Sequence, residues 1–271
     1  PLSATAEWKM HGPLVMASLV GFSFHAVMSY AIGLFMVPLN EEFGWSRAQI
    51  SVGFTISALL TVPLAPFVGA MIDKWGVRKL VMPGLILKAI SISIFATVDG
   101  SDIQWYALWV FYALVAMGVK STVWTAAVSG AFSKGLGLAL AVTLSGTALT
   151  QIIAPPLSQW LIDSFGWRQA FIWLGIGWGT PALIICYFFL KDAHYHKQKA
   201  VADNSSGSTV STVALNGLNV REAIRNIPLI RIAIATLITM VLGIGIIVHL
   251  VPVLTESGFT RESAAYLASL A

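Results

Sequence analysis

One pattern repeats along nearly the whole chain: an apolar run long enough to cross a bilayer, followed by a short polar loop. At 1.5 Å of rise per residue, about 20 apolar residues cover a hydrocarbon core of about 30 Å. Runs of that length fall near 13–39, 47–72, 79–99, 104–131, 136–163, 168–190 and 228–254, and an eighth opens near 261. Backbone polar groups in lipid must be satisfied within the segment, so each run is expected as a helix. Composition agrees, because only 10% of the residues are charged against about 25% in a soluble domain. The chain reads as an all-α membrane protein whose main partner is the lipid bilayer.

Local signals mark several span starts. Ser46 and Gln49 form a capping-box pattern, Thr260 is a candidate N-cap for the eighth span, and Pro13 suits the first turn of the first span. Residues 1–12 read as a polar tail and the run behind them as a true span, with no signal-peptide pattern in front.

Orientation follows from Lys and Arg. With the N-terminus inside, eleven fall in inner segments and three (Arg47, Arg168, Arg261) in outer loops. The positive-inside rule therefore predicts a multi-pass protein of the cell (inner or plasma) membrane with a cytoplasmic N-terminus. The net charge of +4 is mostly this topology, and nothing in it calls for a nucleic acid. Asp99 and Asp102 fall outside.

The stretch 191–227 is long, polar and rich in Ser, Gly and Lys. It predicts a cytoplasmic linker between a six-helix bundle (1–190) and the start of a second bundle (228–271), with a short interfacial helix at 220–227. The second bundle repeats the first. Val37-Pro38, Glu42, Gly44 and Arg47 recur as Val251-Pro252, Glu256, Gly258 and Arg261 at a constant offset of 214. The seventh span is thus the expected twin of the first, and the eighth of the second. A smaller echo pairs Phe43-Gly44-Trp45 with Phe165-Gly166-Trp167. Two parallel six-helix halves joined by a long inner loop are a transporter architecture, and on that pattern the chain stops early, after the seventh span and the beginning of the eighth.

Between the second and third spans stands Gly69-Ala-Met-Ile-Asp73-Lys74-Trp-Gly76-Val-Arg78-Lys79, a tight charged turn. Gly69, Asp73, Lys74, Gly76, Arg78 and Lys79 resemble, residue by residue, the signature loop of the major facilitator superfamily. Gly-Trp-Arg before the sixth span and Phe132-Ser-Lys134-Gly135 before the fifth are similar to further family habits. The opening Phe43-Gly-Trp-Ser-Arg47 is similar to bacterial monocarboxylate and oxalate/formate-type porters. The resemblance implies a cytoplasmic gate at which Asp73 meets the other half, Arg78 tethers Asp73, and Gly69 lets a facing helix approach. It also implies a monomeric secondary transporter. Two departures stand out. Thr150 and Pro155-Pro156 break the glycine pattern that antiporter members carry in the fifth helix. The region Tyr30–Leu34 lacks the lysine that animal monocarboxylate carriers hold in the first.

Ionisable groups at membrane depth are costly and mark substrate or ion pathways. Lys120, mid-way along the fourth span, is the leading candidate, for a substrate carboxylate or for proton coupling. Trp124 lies one turn on and is a candidate wall for the same pocket. His25 and Tyr30 in the first span and Gln151 in the fifth complete the set, with His249 a weaker candidate. Lys88 reads as a lysine snorkelling toward the inner face. His194 and His196 lack a carboxylate or cysteine partner, so no metal is expected. Single Cys186 allows no internal disulfide. Phosphate loops, nucleophile elbows and HExxH patterns are missing, so neither a cofactor nor an enzyme is expected.

The function predicted is alternating-access transport of a small organic anion, a monocarboxylate by preference, coupled to protons or to exchange. A sugar, drug or other metabolite is the alternative within the same family. A seven-helix receptor or photoreceptor would need a chromophore lysine in its seventh helix, which has none.

Overall fold

The computed structural model describes residues 3–190 and 226–270. Their helices build seven spans of membrane length and an eighth helix. Histidines 194 and 196, the linker and the 220–225 stretch lie outside the described residues.

Span 1 is a single helix, α1 (Ala4–Phe43). Its 40 residues rise about 60 Å, twice a hydrocarbon core, so it projects at both ends. The expected tail is therefore the helix's own first turns. Ser3 supplies the cap, with its Oγ accepting from the Ala6 amide at 3.2 Å, and Pro13 sits inside the helix rather than in its first turn. We call the membrane face where α1 begins the near face, and the opposite one the far face.

Span 2 is α2 (Arg47–Trp75), opened by the predicted capping box: Gln49 N donates to Ser46 Oγ, and Ser46 N to Gln49 Oε1. Span 3 joins α3 (Val77–Ser93) to a 3₁₀ turn, Ile94–Thr97. Span 4 is broken, with α4 (Asp102–Ala116), a 3₁₀ turn (Met117–Val119) and α5 (Ser121–Ser129). Span 5 comprises α6 (Leu136–Leu144) and α7 (Gly146–Phe165). Span 6 runs from α8 (Trp167–Ile172) through a π segment (Trp173–Gly177) into α9 (Trp178–Phe189). Span 7 is α10 (Ile227–Glu256), and α11 (Arg261–Leu270) follows it, with Thr260 Oγ1 accepting from the Ser263 amide as predicted.

Helices in lipid gain nothing from burying apolar surface against each other, so close packing holds them together. Small residues make that possible here. A Cβ on Gly175 would meet Ala89 O at 2.6 Å, and one on Gly179 would meet the Ala89 and Phe24 side chains at 2.9 Å. A Cβ on Gly146 would lie 2.4 Å from Leu19 O, and one turn later Thr150 Oγ1 donates to Ser23 O. Large aromatics fill the remaining space. Phe95 packs edge-on to Trp105 and Trp109, and Phe171 stacks on Phe35 with centroids 3.9 Å apart.

The 69–79 segment is tighter than a turn. Gly69, Asp73 and Lys74 belong to α2, Arg78 and Lys79 to α3, and Gly76 alone joins them, at φ 82° and ψ 161°. Only glycine takes that backbone without strain. Gly166 joins α7 to α8 in the same way, at φ 80° and ψ 160°. The sequence around the two joints matches at an offset of 90: Ile72-Asp73-x-x-Gly76-x-Arg78 against Ile162-Asp163-x-x-Gly166-x-Arg168. Sequence reading missed this echo, because the two copies serve opposite faces. Each arginine closes the same contact. Arg78 Nη2 donates to Tyr187 O at the end of span 6, and Arg168 Nη2 to Val98 O at the end of span 3. Spans 3 and 6 are thus clasped at both faces.

Candidate functional site

The break in span 4 falls at Lys120. Its backbone is extended (φ −70°, ψ 166°), so α5 starts afresh beside it without a side-chain cap. Three contacts hold the break. Gly118 packs on Leu80 O and Gly84, Trp124 Nε1 donates to Val119 O at 2.8 Å, and Val123 N to Lys120 O. Trp124 is fully buried, because Gly21 leaves room for it: a Cβ there would lie 2.0 Å from its ring.

Lys120 is half-buried, and its Nζ donates to Thr61 Oγ1 on α2 at 2.9 Å. Thr61 in turn gives its own proton to Ser57 O at 2.7 Å, which leaves its lone pairs for the lysine. Sequence reasoning missed Thr61, since 59 residues separate it from Lys120 and a threonine in an apolar run carries no signal. At the break, then, an ammonium group, a hydroxyl and the uncapped N-terminus of a nine-residue helix meet at membrane depth. Ammonium and amide N–H groups both favour an anion.

Two further bases stand within electrostatic reach of Lys120, namely His25 on α1 and Lys88 on α3. His25 stacks on Phe22 with centroids 5.9 Å apart, and its Nδ1 has no partner among the described residues. Lys88 does not snorkel. It is fully buried, with Nζ 3.4 Å from the Tyr112 ring centroid and no hydrogen-bond acceptor among the described residues. Tyr112 and its neighbours enclose the stem from every side, so the near face is out of reach. Every described Asp and Glu stands in a loop or at a helix end, so the interior of the bundle holds basic groups and, among the described residues, no acidic ones.

The remaining candidates are more dispersed. Tyr30 and Gln151 are half-buried, as is His249 on α10. A groove of about 690 Å³ between α1, α7 and span 6 is lined by Trp160, Trp173 and Trp178 and by none of the candidate residues. In the signature segment, a Cβ on Gly69 would meet nothing within 4 Å among the described residues, so no helix approaches it there. Arg78 sits over the Tyr187 ring as well as on its carbonyl.

One contact was hidden by the assumption of a polar tail. Glu7, buried on α1 at the near face, accepts from the amides of Ser133, Lys134 and Gly135, at 2.9–3.3 Å, and from the Ser133 hydroxyl. These are donors just ahead of α6, so α1 caps span 5 from a distance.

At the far face the two repeat copies meet. Arg47 Nη2 lies 2.8 Å from Glu256 Oε1, Arg261 Nη2 lies 2.7 Å from Glu41 Oε1, and Arg168 Nη2 lies 2.7 Å from Glu42 Oε1. Gly33 on α1 lets Val248 O of α10 approach, since a Cβ there would lie 2.7 Å from it. Leu34 packs with Val251, Ala264, Ala265 and Ala268. Toward the near face contact is lost: from Ile227 to Leu242 every described side chain of α10 is exposed.

Seven apolar helices long enough to cross a bilayer, with basic groups at membrane depth, define a multi-pass helical membrane protein. The chain belongs to the Major Facilitator Superfamily, whose family model matches residues 18–271. It is 26% identical over 242 residues to monocarboxylate transporter 13 of Bos taurus, covering 89% of this chain and 53% of that protein. It is 27% identical over 177 residues to the oxalate:formate antiporter of Oxalobacter formigenes (64% and 41%), and 27% identical over 163 residues to monocarboxylate transporter 11 of Mus musculus (57% and 34%). The chain thus spans between a third and about half of the length of these relatives.

Proposed function

We propose that the protein carries small organic anions, monocarboxylates by preference, across a cell membrane by alternating access, with the near face cytoplasmic. The observation that carries this reading is the break in span 4. Lys120 and the first turn of α5, which no side chain caps, offer a carboxylate two kinds of favourable partner where lipid offers none. Thr61 holds the ammonium until a carboxylate takes its place. The balance of basic over acidic groups inside the bundle repels cations and favours one negative charge. Relatives named for monocarboxylate and oxalate:formate transport support the same class. Coupling to protons or to a counter-anion both fit this site, and His25 is the titratable group placed for the first. Asp73 and its neighbours form the near-face gate in this reading.

Proteoliposome uptake tests it. With the intact transporter, labelled short monocarboxylates accumulate, and Lys120→Gln lowers kcat/KM by about 10- to 100-fold, the loss expected for one charged hydrogen-bonding partner of about 1.5–3 kcal/mol. Uptake of a neutral sugar with no uptake of any small acid overturns the substrate class.

A further inference from the structure

The far-face ion pairs follow the internal repeat. Arg261 is the twin of Arg47 and Glu256 the twin of Glu42, each at the offset of 214. Arg47, in the first copy, reaches Glu256 in the second. Arg261, in the second copy, reaches Glu41 in the first. Each half thus contributes one arginine and one carboxylate, and the two bridges run in opposite directions across one seam. The third pair, Arg168–Glu42, stays within the first half, where Trp167 Nε1 also donates to Glu42 Oε2 at 2.7 Å. It orients the acidic end of α1 without crossing the seam. Below the bridges, Gly33 and Val248 bring α1 and α10 into backbone contact, while the near-face part of α10 stands clear. α1 and α10 therefore touch at the far face and not along the near-face part of α10.

We infer that the repeated segment is a far-face latch: Arg47–Glu256 and Arg261–Glu41 hold the two halves together there, and part together when the transporter opens to that side. The strength of the bridges suits a switch. All four side chains are substantially exposed, between 39% and 63%. Exposed pairs are individually weak, so two of them bias the closed far mouth by about 2- to 30-fold in population without locking it. A glycine at φ 70° (Gly44) and another at φ 95° (Gly258) end the two parent helices and set both arginines at matching positions on the helices that follow. Glu41 stands one position before Glu42, the exact twin of Glu256, which Arg168 already holds, so the two bridges cross one seam as near twins. This latch rests on the alternating-access reading but not on the identity of the substrate.

Distance measurements between spin labels test it, in the intact transporter in nanodiscs without substrate. Labels go on Ile103→Cys and Phe259→Cys, both exposed at the far face, in a background freed of other cysteines, Cys186→Ser included. The parent shows mainly the short distance at low salt. Arg47→Glu with Arg261→Glu moves about 2- to 30-fold more of the population to the longer distance. Adding Glu256→Arg and Glu41→Arg restores the short one. In parallel, raising salt from 0.01 to 1 M shrinks the screening length from about 30 to about 3 Å, so the parent opens. The Arg47→Gln, Arg261→Gln protein, which has no bridge left across the seam, does not respond. An unchanged distribution in the double-glutamate protein, or no recovery on swapping, overturns the latch. The salt arm needs no substitution in the bridges, so a parent indifferent to salt overturns it even if a variant fails to fold. Because no substrate is present, loss of the latch leaves the uptake result standing, and the reverse holds too.

Discussion

At Gly21 and Gly53 the first Cβ atom is already too much, since it would lie 2.0 Å from the Trp124 ring at one and 2.1 Å from the Trp109 ring at the other. Alanine at either position is expected to cost about 1–3 kcal/mol through overpacking. The same change at Gly137, which has nothing within 4 Å among the described residues, removes a flexible helix residue and should stabilise by about 0.5–1 kcal/mol. Melting curves of the three variants check the opposite signs. Lys88 makes a second residue-scale case. A cation over an aromatic ring recovers about 2 kcal/mol, less than the several kcal/mol that burying a charge costs. Lys88→Met is therefore expected to melt at a higher temperature than the parent. Measuring uptake on the same preparation shows whether the charge has a transport role, because a purely structural lysine leaves it unchanged. The sequence made the position of Lys120 legible, since charge at membrane depth is conspicuous against an apolar run. It left the fate of Lys88 open, because snorkelling depends on what surrounds the stem, and Tyr112 is 24 residues away in the chain.

Helices were legible where their ends carry chemistry of their own. Ser46 with Gln49 and Thr260 fix their starts with a hydroxyl and an amide that any reader of the sequence can place. The break in span 4 had no such mark. Met117-Gly-Val-Lys-Ser121 contains no proline, and its apolar rhythm continues across the gap. Packing makes the break instead: Gly118 seats against span 3, and the Trp124 indole takes the Val119 carbonyl that a continuous helix would have used. Trp124→Phe keeps the ring and removes the donor, so it leaves a buried carbonyl unpaired at a cost of about 1–3 kcal/mol. A lowered melting temperature together with weaker binding of the carboxylate is the expected result. Unchanged binding would mean that the indole does not support the site. Glu7 acts across elements in the same way, for a tail that caps another span cannot be recognised until the loop at 133–135 lies beneath it. Glu7→Ala is expected to expose that loop to protease at the near face, and Glu7→Gln, which keeps one acceptor, to do so less.

Over the whole molecule the repeats are the strongest legible feature. The offset of 214 pairs α1 with α10 and α2 with α11 in sequence, although it does not tell that charges of the paired segments cross over to meet. The inverted echo at Gly76 and Gly166 escaped notice because symmetry about an axis in the membrane plane carries the same residues to opposite faces. That echo has a consequence for how the chain is threaded into a bilayer during synthesis. Each clasp needs its arginine, so one positive charge sits on either side, and the insertion machinery receives contradictory instructions from the pair. Lys74 and Lys79 accompany only one of the joints, and there they break the tie. With both changed to glutamine, a fraction of nascent chains should enter upside down around spans 2 and 3, as read by reporters fused behind each loop. The charge of those two lysines is then also an address, read at birth, and the glycine joint they flank is a hinge pin that both faces share.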